Sequence, residues 1–174
     1  MSKAEITDIT GRFGTCAKAC QEAGFTGVQL HAAHGYLISQ FLSPRTNLRK
    51  DDYGGTLENR ARILLEIVSS IRQAVGSSFP IAVKLNSADF QKGGFEFTDS
   101  MQVAKWLEAA SVDVIEISGG TYEQPRLLGV EGIEEVAEQD VKASTIAREA
   151  YFLEFAIALR QEISIPLMVT GGFR

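Results

Sequence analysis

Along the chain, segments with apolar residues at every third or fourth position alternate with short segments that are apolar at every second position. This pattern predicts helices and strands in alternation. Helices are predicted from residue 2 to about 23, from 56 to 76, from 98 to 110 and from about 143 to 162. Strands are predicted at residues 25–31, 81–86, 112–118 and 166–170. Strands joined by crossover helices form a parallel sheet with helices packed outside it. No Pro/Ser-rich linker interrupts the pattern, so we expect a single domain.

The polar positions within the strands indicate which kind of parallel sheet this is. Val or Ile occupies alternate positions in the first and third strands, while Gln29, His31, Glu116 and Ser118 face the other way. A doubly wound sheet usually buries aliphatic residues on both of its faces. Polar residues on one face therefore favour a barrel, within the α/β fold class.

Composition narrows the function classes. The chain has 174 residues, 45% hydrophobic and 22% charged, with a mean hydropathy of +0.01, which is typical of a soluble globular domain. Its net charge of −5 comes from interspersed acidic and basic residues, so neither nucleic acid nor an anionic membrane is an expected partner. A polar start and the lack of any long apolar run predict a cytoplasmic protein.

Two cysteines raise the question of a metal. Cys16 and Cys20 lie one helical turn apart, in step with apolar residues, which predicts that they line the buried stripe of the first helix. The alternative joins them to His31 and His34 as the zinc site of a hydrolase. Structural zinc ligands usually come from short loops rather than from a helix stripe, so we expect no metal.

Candidate chemistry is concentrated after the first strand. His31 and His34, the chain's two histidines, flank two alanines and precede Tyr36. If the segment turns there, two imidazoles and a phenol converge on one small site. Imidazoles can donate hydrogen bonds to a carbonyl oxygen, and a tyrosine can deliver a proton to a carbon that is becoming basic.

Lys84 is a second candidate. Alternation in the strand 81–86 sets Ala82, Lys84 and Asn86 on the polar face, which directs the lysine into the barrel. A buried ammonium needs an anionic partner. The partner is either a bound anionic group or Glu116 on the next strand, and the two are compatible.

Several blocks, in order along the chain, resemble the Old Yellow Enzyme family of NADH:flavin oxidoreductases. They are GVQLHAAHGYLISQFLSP, RKDDYGGTLENRAR, VKLNSADF, ISGGTYE and VTGGFR. The resemblance implies an FMN-binding TIM-type (β/α)8 barrel that uses NADH or NADPH to reduce the carbon–carbon double bond of small activated alkenes such as enones. The run from Tyr53 to Arg60 within these blocks is predicted to be structural, capping the helix that follows.

The resemblance also implies roles for individual residues. His31 and His34 match the pair that binds the carbonyl oxygen of the substrate, and Tyr36 matches the tyrosine that protonates the alkene. Lys84 matches the cation at the N1 and C2 carbonyl edge of FMN. Gly171, Gly172 and Phe173 match the segment that binds the FMN phosphate. The loop 119–142 is expected to cover the site and shape substrate choice.

The chain is shorter than the barrel that the resemblance implies. A complete barrel takes about 250 residues, so residues 1–174 are expected to be a fragment of one FMN-binding barrel domain, roughly strands four to seven. One hypothesis is that a full-length parent is the enzyme and that this fragment alone is inactive. The other is a non-catalytic or assembly-dependent half-barrel module. Either a homo-oligomer or the missing barrel half is then an expected partner.

Overall fold

The structure is a computed structural model that describes residues 1–121 and 152–171. The helices are α1 (Lys3–Glu22), α2 (Leu37–Leu42), α3 (Leu57–Val75), α4 (Phe97–Ala109) and α5 (Leu153–Arg160). The strands are β1 (Val28–Ala32), β2 (Ile81–Asn86), β3 (Val114–Ser118) and β4 (Leu167–Val169). None of the helices in these ranges combines the length and the apolar character needed to cross a bilayer.

The predicted helix boundaries follow from local capping. Ser2 Oγ accepts a hydrogen bond from Glu5 N at 3.2 Å, and Glu5 Oε2 accepts one from Ser2 N at 2.6 Å, which completes the capping box of α1. Thr56 Oγ1 accepts from the backbone N–H of Asn59 at the start of α3. Gly76, with φ of 80°, ends that helix in a conformation that favours glycine.

The four strands form one parallel sheet in the order β1-β2-β3-β4. Parallel strands alternating with helices confirm the predicted fold class of a partial TIM-type barrel. Among strand boundaries, β2 is as predicted, whereas β1 begins at Val28 rather than at residue 25. The reason is that Gly24 adopts φ of 86° and Phe25 remains 64% exposed, so the chain enters the sheet only where Val28 N bonds to Pro80 O.

The helix α2 was not predicted, and the last predicted helix is only partly described. Leu37–Leu42 is a single short helix inside the segment that had been interpreted as a loop. Of the helix predicted at 143–162, α5 covers Leu153–Arg160, and residues 143–151 lie outside the described residues.

The two faces of the sheet differ as the alternating pattern predicted. Strand residues on one face are buried with the helices in the core: Leu30, Ala32, Ile81, Val83, Leu85, Ile115 and Ile117. On the other face, Gln29 and His31 are exposed and Lys84 is half-buried. The polar face is therefore the one available to a ligand.

The prediction that both cysteines line a buried stripe is wrong. Cys16 is exposed and Cys20 only half-buried, whereas Ile6, Gly14 and Ala17 form the buried face of α1. A Cβ on Gly14 would lie 2.6 Å from Ser70 Oγ, so α1 packs closely on α3 at a position where α1 has no side chain. The buried face of α1 therefore combines the large Ile6 with the small Gly14 and Ala17, and the cysteines lie outside it.

Candidate active site

Three polar residues on neighbouring strands are paired in register and so form one row, or rung, across the sheet. His31 on β1 pairs in register with Lys84 on β2, and Lys84 pairs with Glu116 on β3. Because each side chain belongs to the same rung and the same face, the imidazole, ammonium and carboxylate are neighbours. This arrangement follows from parallel register and could not be read from any one strand alone.

A tight turn after β1 brings the second histidine and the tyrosine back to this rung. His34 has φ of 61° and Gly35 has φ of 79°, so two consecutive residues adopt the left-handed conformation. This conformation is uncommon for a residue other than glycine. The backbone N–H of His34 donates to Asn86 Oδ1 at 3.2 Å, and Asn86 Nδ2 donates to Asp89 Oδ1 and Gly120 O. The buried amide of Asn86 thus ties the turn to β2.

The turn assembles a cluster of three rings. The His31 and His34 ring centroids are 5.1 Å apart in an edge-to-face arrangement, and the Tyr36 ring lies 4.7 Å from His31. Although His31 is exposed overall, partial desolvation of its ring, with a further contribution from the Lys84 charge, lowers its pKa, and Glu116 opposes the shift. Burial also lowers the pKa of His34, with smaller contributions from His31 and Lys84. Both imidazoles are therefore neutral at neutral pH.

The ring nitrogens of the two histidines have different partners. His31 Nδ1 accepts a long hydrogen bond, 3.4 Å, from the backbone N–H of Ala33, which favours the proton on Nε2. In His34 it is Nε2 that is engaged, 2.6 Å from the hydroxyl of Ser118. Each imidazole therefore has one nitrogen held by the protein.

Glu116 connects all four strands on this face. Its carboxylate accepts hydrogen bonds from Gln29 at 2.7 Å and from the Thr170 hydroxyl, and Lys84 Nζ lies 3.0 Å from Oε1. Burial raises the pKa of Glu116, but the hydrogen bonds from Thr170, Lys84 and Gln29 outweigh that effect and leave the pKa lowered. The carboxylate is ionised and compensates the Lys84 ammonium. The ion pair considered as one partner of Lys84 is thus present.

The remaining predicted site residues are described only in part. Gly171, with φ of 87°, follows β4, whereas Gly172 and Phe173 lie outside the described residues. Of the loop 119–142, residues 119–121 are described and the others are not. Within 1–121 and 152–171, no three His, Cys, Asp or Glu side chains are grouped so as to hold a metal ion. In this part of the chain Cys16 and Cys20 are thus not grouped with His31 and His34.

Sequence reasoning did not assign site positions to several residues that build this geometry. They are Gln29, Asn86, Asp89, Glu116, Ser118 and Thr170. Gln29, Asn86, Glu116 and Ser118 were recognisable as polar residues at alternate strand positions, and this alternation indicated that they share the inner face. Which of them contact one another depends on strand register, and that information is not local.

A parallel barrel sheet whose polar face carries two imidazoles, a phenol and a lysine near the carboxyl ends of its strands has the layout of the active-site face of a TIM-type barrel. Within that class, the chain belongs to the NADH:flavin oxidoreductase / NADH oxidase family, whose sequence model matches residues 1–127. The family assignment agrees with the resemblance seen in the sequence blocks.

Relatives and solved structures agree with this assignment. The chain is 42% identical over 175 residues to an NADH-dependent flavin oxidoreductase of Neonectria sp. (strain DH2), covering 100% of this chain and 22% of that protein. A 2-naphthoyl-CoA reductase in complex with 2-naphthoyl-CoA matches with a TM-score of 0.83 and 33% identity, over 97% of this chain and 24% of that one. An Old Yellow Enzyme homologue from Zymomonas mobilis shares the fold, with a TM-score of 0.72 and 24% identity over 100% of this chain and 44% of that one. The chain thus spans less than half the length of each of these proteins.

Proposed function

We propose that the whole protein is an FMN-dependent NAD(P)H oxidoreductase that reduces the carbon–carbon double bond of activated alkenes such as enones. The observation that carries this proposal is the convergence of the His31, His34 and Tyr36 rings beside Lys84 on the polar face of a barrel sheet. Family membership supports the flavin and nicotinamide chemistry, and the ring cluster supports the alkene substrate.

The two imidazoles suit a carbonyl oxygen. Each is neutral at neutral pH, because burial lowers the pKa of both His31 and His34. A neutral imidazole has one N–H to donate, and two such donors converging on one oxygen stabilise the negative charge that develops when a conjugated double bond is reduced. Because both N–H donors are already in position, the site need not rearrange as the charge on the oxygen develops. The donors therefore stabilise the transition state more than the bound substrate.

Tyr36 is the proposed proton donor. Its ring packs on His31 and the residue remains 45% exposed, which suits a residue that contacts a substrate whose carbonyl is held by the histidines. The hydroxyl would donate its proton to the alkene carbon next to the carbonyl. A positioned proton donor of this kind contributes about 10²–10⁴-fold to a reaction rate.

The polar face also fits an anionic or electron-rich ring edge. The side chain of Lys84 is 21% exposed, and its ammonium has three hydrogens, of which the ion pair with Glu116 needs one. Lys84 would hold the N1 and C2 carbonyl edge of FMN, and Gly171, Gly172 and Phe173 would contact its phosphate. When bound, FMN supplies the hydride. Residues 1–174 would then be one part of a single FMN-binding barrel domain.

The test uses the whole protein, purified and compared before and after incubation with FMN. We expect a flavin absorbance spectrum at one FMN per protein and oxidation of NADH or NADPH that depends on an enone such as cyclohexenone. Double substitution of His31 and His34 by Gln should abolish enone dependence and leave the flavin bound. A folded, full-length protein that binds no flavin would contradict the proposal and favour a non-catalytic module.

A further inference from the structure

The contact between His34 and Ser118 has a consequence for the protonation of His34. Nε2 of His34 lies 2.6 Å from Ser118 Oγ, a distance at which one of the two groups donates a hydrogen bond to the other. Ser118 is the last residue of β3 and is 3% exposed, so its hydroxyl is shielded from water. A hydroxyl can donate or accept, whereas each nitrogen of a neutral imidazole can do only one of the two.

The two possible directions of this hydrogen bond have opposite effects on the site. If Nε2–H donates to Ser118, then Nδ1 carries no proton and His34 offers a substrate oxygen only a lone pair. If the Ser118 hydroxyl donates to Nε2, the single imidazole proton lies on Nδ1, and His34 becomes a donor. The direction of one hydrogen bond therefore decides whether His34 attracts or repels a carbonyl oxygen.

We propose that Ser118 is a positioning residue: its hydroxyl donates to Nε2 of His34 and holds the imidazole proton on Nδ1. This inference rests on the proposed function, in which His34 donates to a carbonyl oxygen. For His31, the hydrogen bond from Ala33 N to Nδ1 favours the opposite tautomer, with the proton on Nε2. The pair thus presents one Nε2–H and one Nδ1–H.

The backbone around both partners keeps this geometry fixed. Asn86 and Ser118 are paired in register at the ends of β2 and β3. Asn86 Oδ1 accepts the backbone N–H of His34, and Ser118 O accepts the backbone N–H of Ser87 at 2.6 Å. The His34 backbone is therefore held by β2, and Ser118 is held by the adjacent strand β3, paired with Asn86.

Nitrogen NMR of the whole protein labelled with ¹⁵N-histidine tests this inference directly. The variants His31→Gln and His34→Gln assign the signals of the two histidines within residues 1–174. At neutral pH we expect His34 Nδ1 to have the chemical shift of a protonated nitrogen and Nε2 that of an unprotonated one, with His31 reversed. A wild-type His34 protonated on Nε2 would overturn the inference.

Variants separate tautomer control from general packing. Ser118→Ala should move the His34 proton to Nε2 or to a mixture, and Ser118→Thr, which keeps the hydroxyl, should restore Nδ1–H. Ser100→Ala is the matched control, since Ser100 is equally buried but donates to the backbone carbonyl of Asn86. Loss of the Nδ1–H signature in Ser100→Ala, or its retention in Ser118→Ala, would contradict the role of Ser118.

Steady-state kinetics of the flavin-loaded whole protein tests whether the His34 tautomer affects enone reduction. Ser118→Ala should raise the KM for the enone by up to about tenfold, as expected for one lost hydrogen bond, and Ser118→Thr should restore it. If the wild-type tautomers are as expected but no enone is reduced, the proposed function fails and the role of Ser118 in setting the tautomer stands. An unchanged KM in Ser118→Ala would overturn the functional part of the inference.

Discussion

Lys84 Nζ lies 3.0 Å from Glu116 Oε1, between neighbouring strands and on the same rung as His31. Glu116 is 7% exposed, so neither charge of this pair is fully solvated and each requires the other. The cation proposed to contact the flavin is thus fixed by a residue on the adjacent strand.

Removal of Lys84 alone is expected to destabilise the protein. Lys84→Met leaves the Glu116 carboxylate buried without its cation, and because the Lys84 side chain is partly exposed, we expect a loss of about 2 kcal/mol in the free energy of unfolding. Urea denaturation measures it. In the Glu116→Gln background the same substitution should cost less than about 1 kcal/mol. If Lys84→Met cost the same free energy of unfolding in both backgrounds, the Lys84 and Glu116 side chains would not stabilise each other.

Acid is expected to destabilise the fold in two ranges of pH. Folding lowers the pKa of both histidines from 6.5, so the unfolded chain binds protons that the folded chain does not, and stability decreases as pH falls below about 6.5. Glu116, lowered from 4.5, adds a second decrease below about pH 4.5. The measurement is the free energy of unfolding against pH. Double substitution of His31 and His34 by Gln should remove the loss of stability below about pH 6.5 and keep the loss below about pH 4.5.

Two glycines of α1 are expected to respond oppositely to alanine. Gly11→Ala places a methyl group where no atom lies within 4 Å and should stabilise the helix by about 0.5–1 kcal/mol. Gly14→Ala brings the methyl group 2.6 Å from Ser70 Oγ and 3.0 Å from Ser70 O, and should destabilise by about 1 kcal/mol despite better helix propensity. Thermal unfolding of both variants compares them, and stabilisation by Gly14→Ala would contradict the close packing of α1 on α3.

Tyr36→Phe is expected to separate the two halves of the proposed reaction. Phenylalanine keeps the ring that packs on His31 but has no hydroxyl proton, so reoxidation of the reduced flavin by an enone should slow by about 10²–10⁴-fold. Reduction of the flavin by NAD(P)H should not change. Stopped-flow absorbance measures each step. Tyr53→Phe serves as the control, since its hydroxyl donates to Glu66 outside the site.

The features predicted correctly from the sequence depend on short-range signals. The Ser2–Glu5 capping box, the Thr56 cap and the alternation in β2 each involve residues within a few positions of one another. The short helix α2 was missed because six residues are fewer than two helical turns, too short a window to establish a period. The prediction for the buried face of α1 was wrong because that face includes Gly14, which carries no apolar signal but permits a close contact with α3.

The site was predictable as a set of residues but not as a set of contacts. His31, His34 and Tyr36 are close in sequence, and alternation indicated that Lys84 shares their face. The contacts of Glu116 with three other strands, and of Ser118 with His34, join residues separated by between 32 and 87 positions. Only the register of the parallel sheet brings these pairs together.

Because of that register, the number of residues in each strand determines where the reactive groups of the site lie. Loss of one residue within β2 would exchange Lys84 for an aliphatic neighbour on the inner face and turn the ammonium toward the core. Loss of two residues would keep the face but shift the ammonium by roughly 6.6 Å along the strand, away from both His31 and Glu116. Substitutions can alter one group of this site at a time, whereas insertions and deletions in its strands change the whole reactive surface at once.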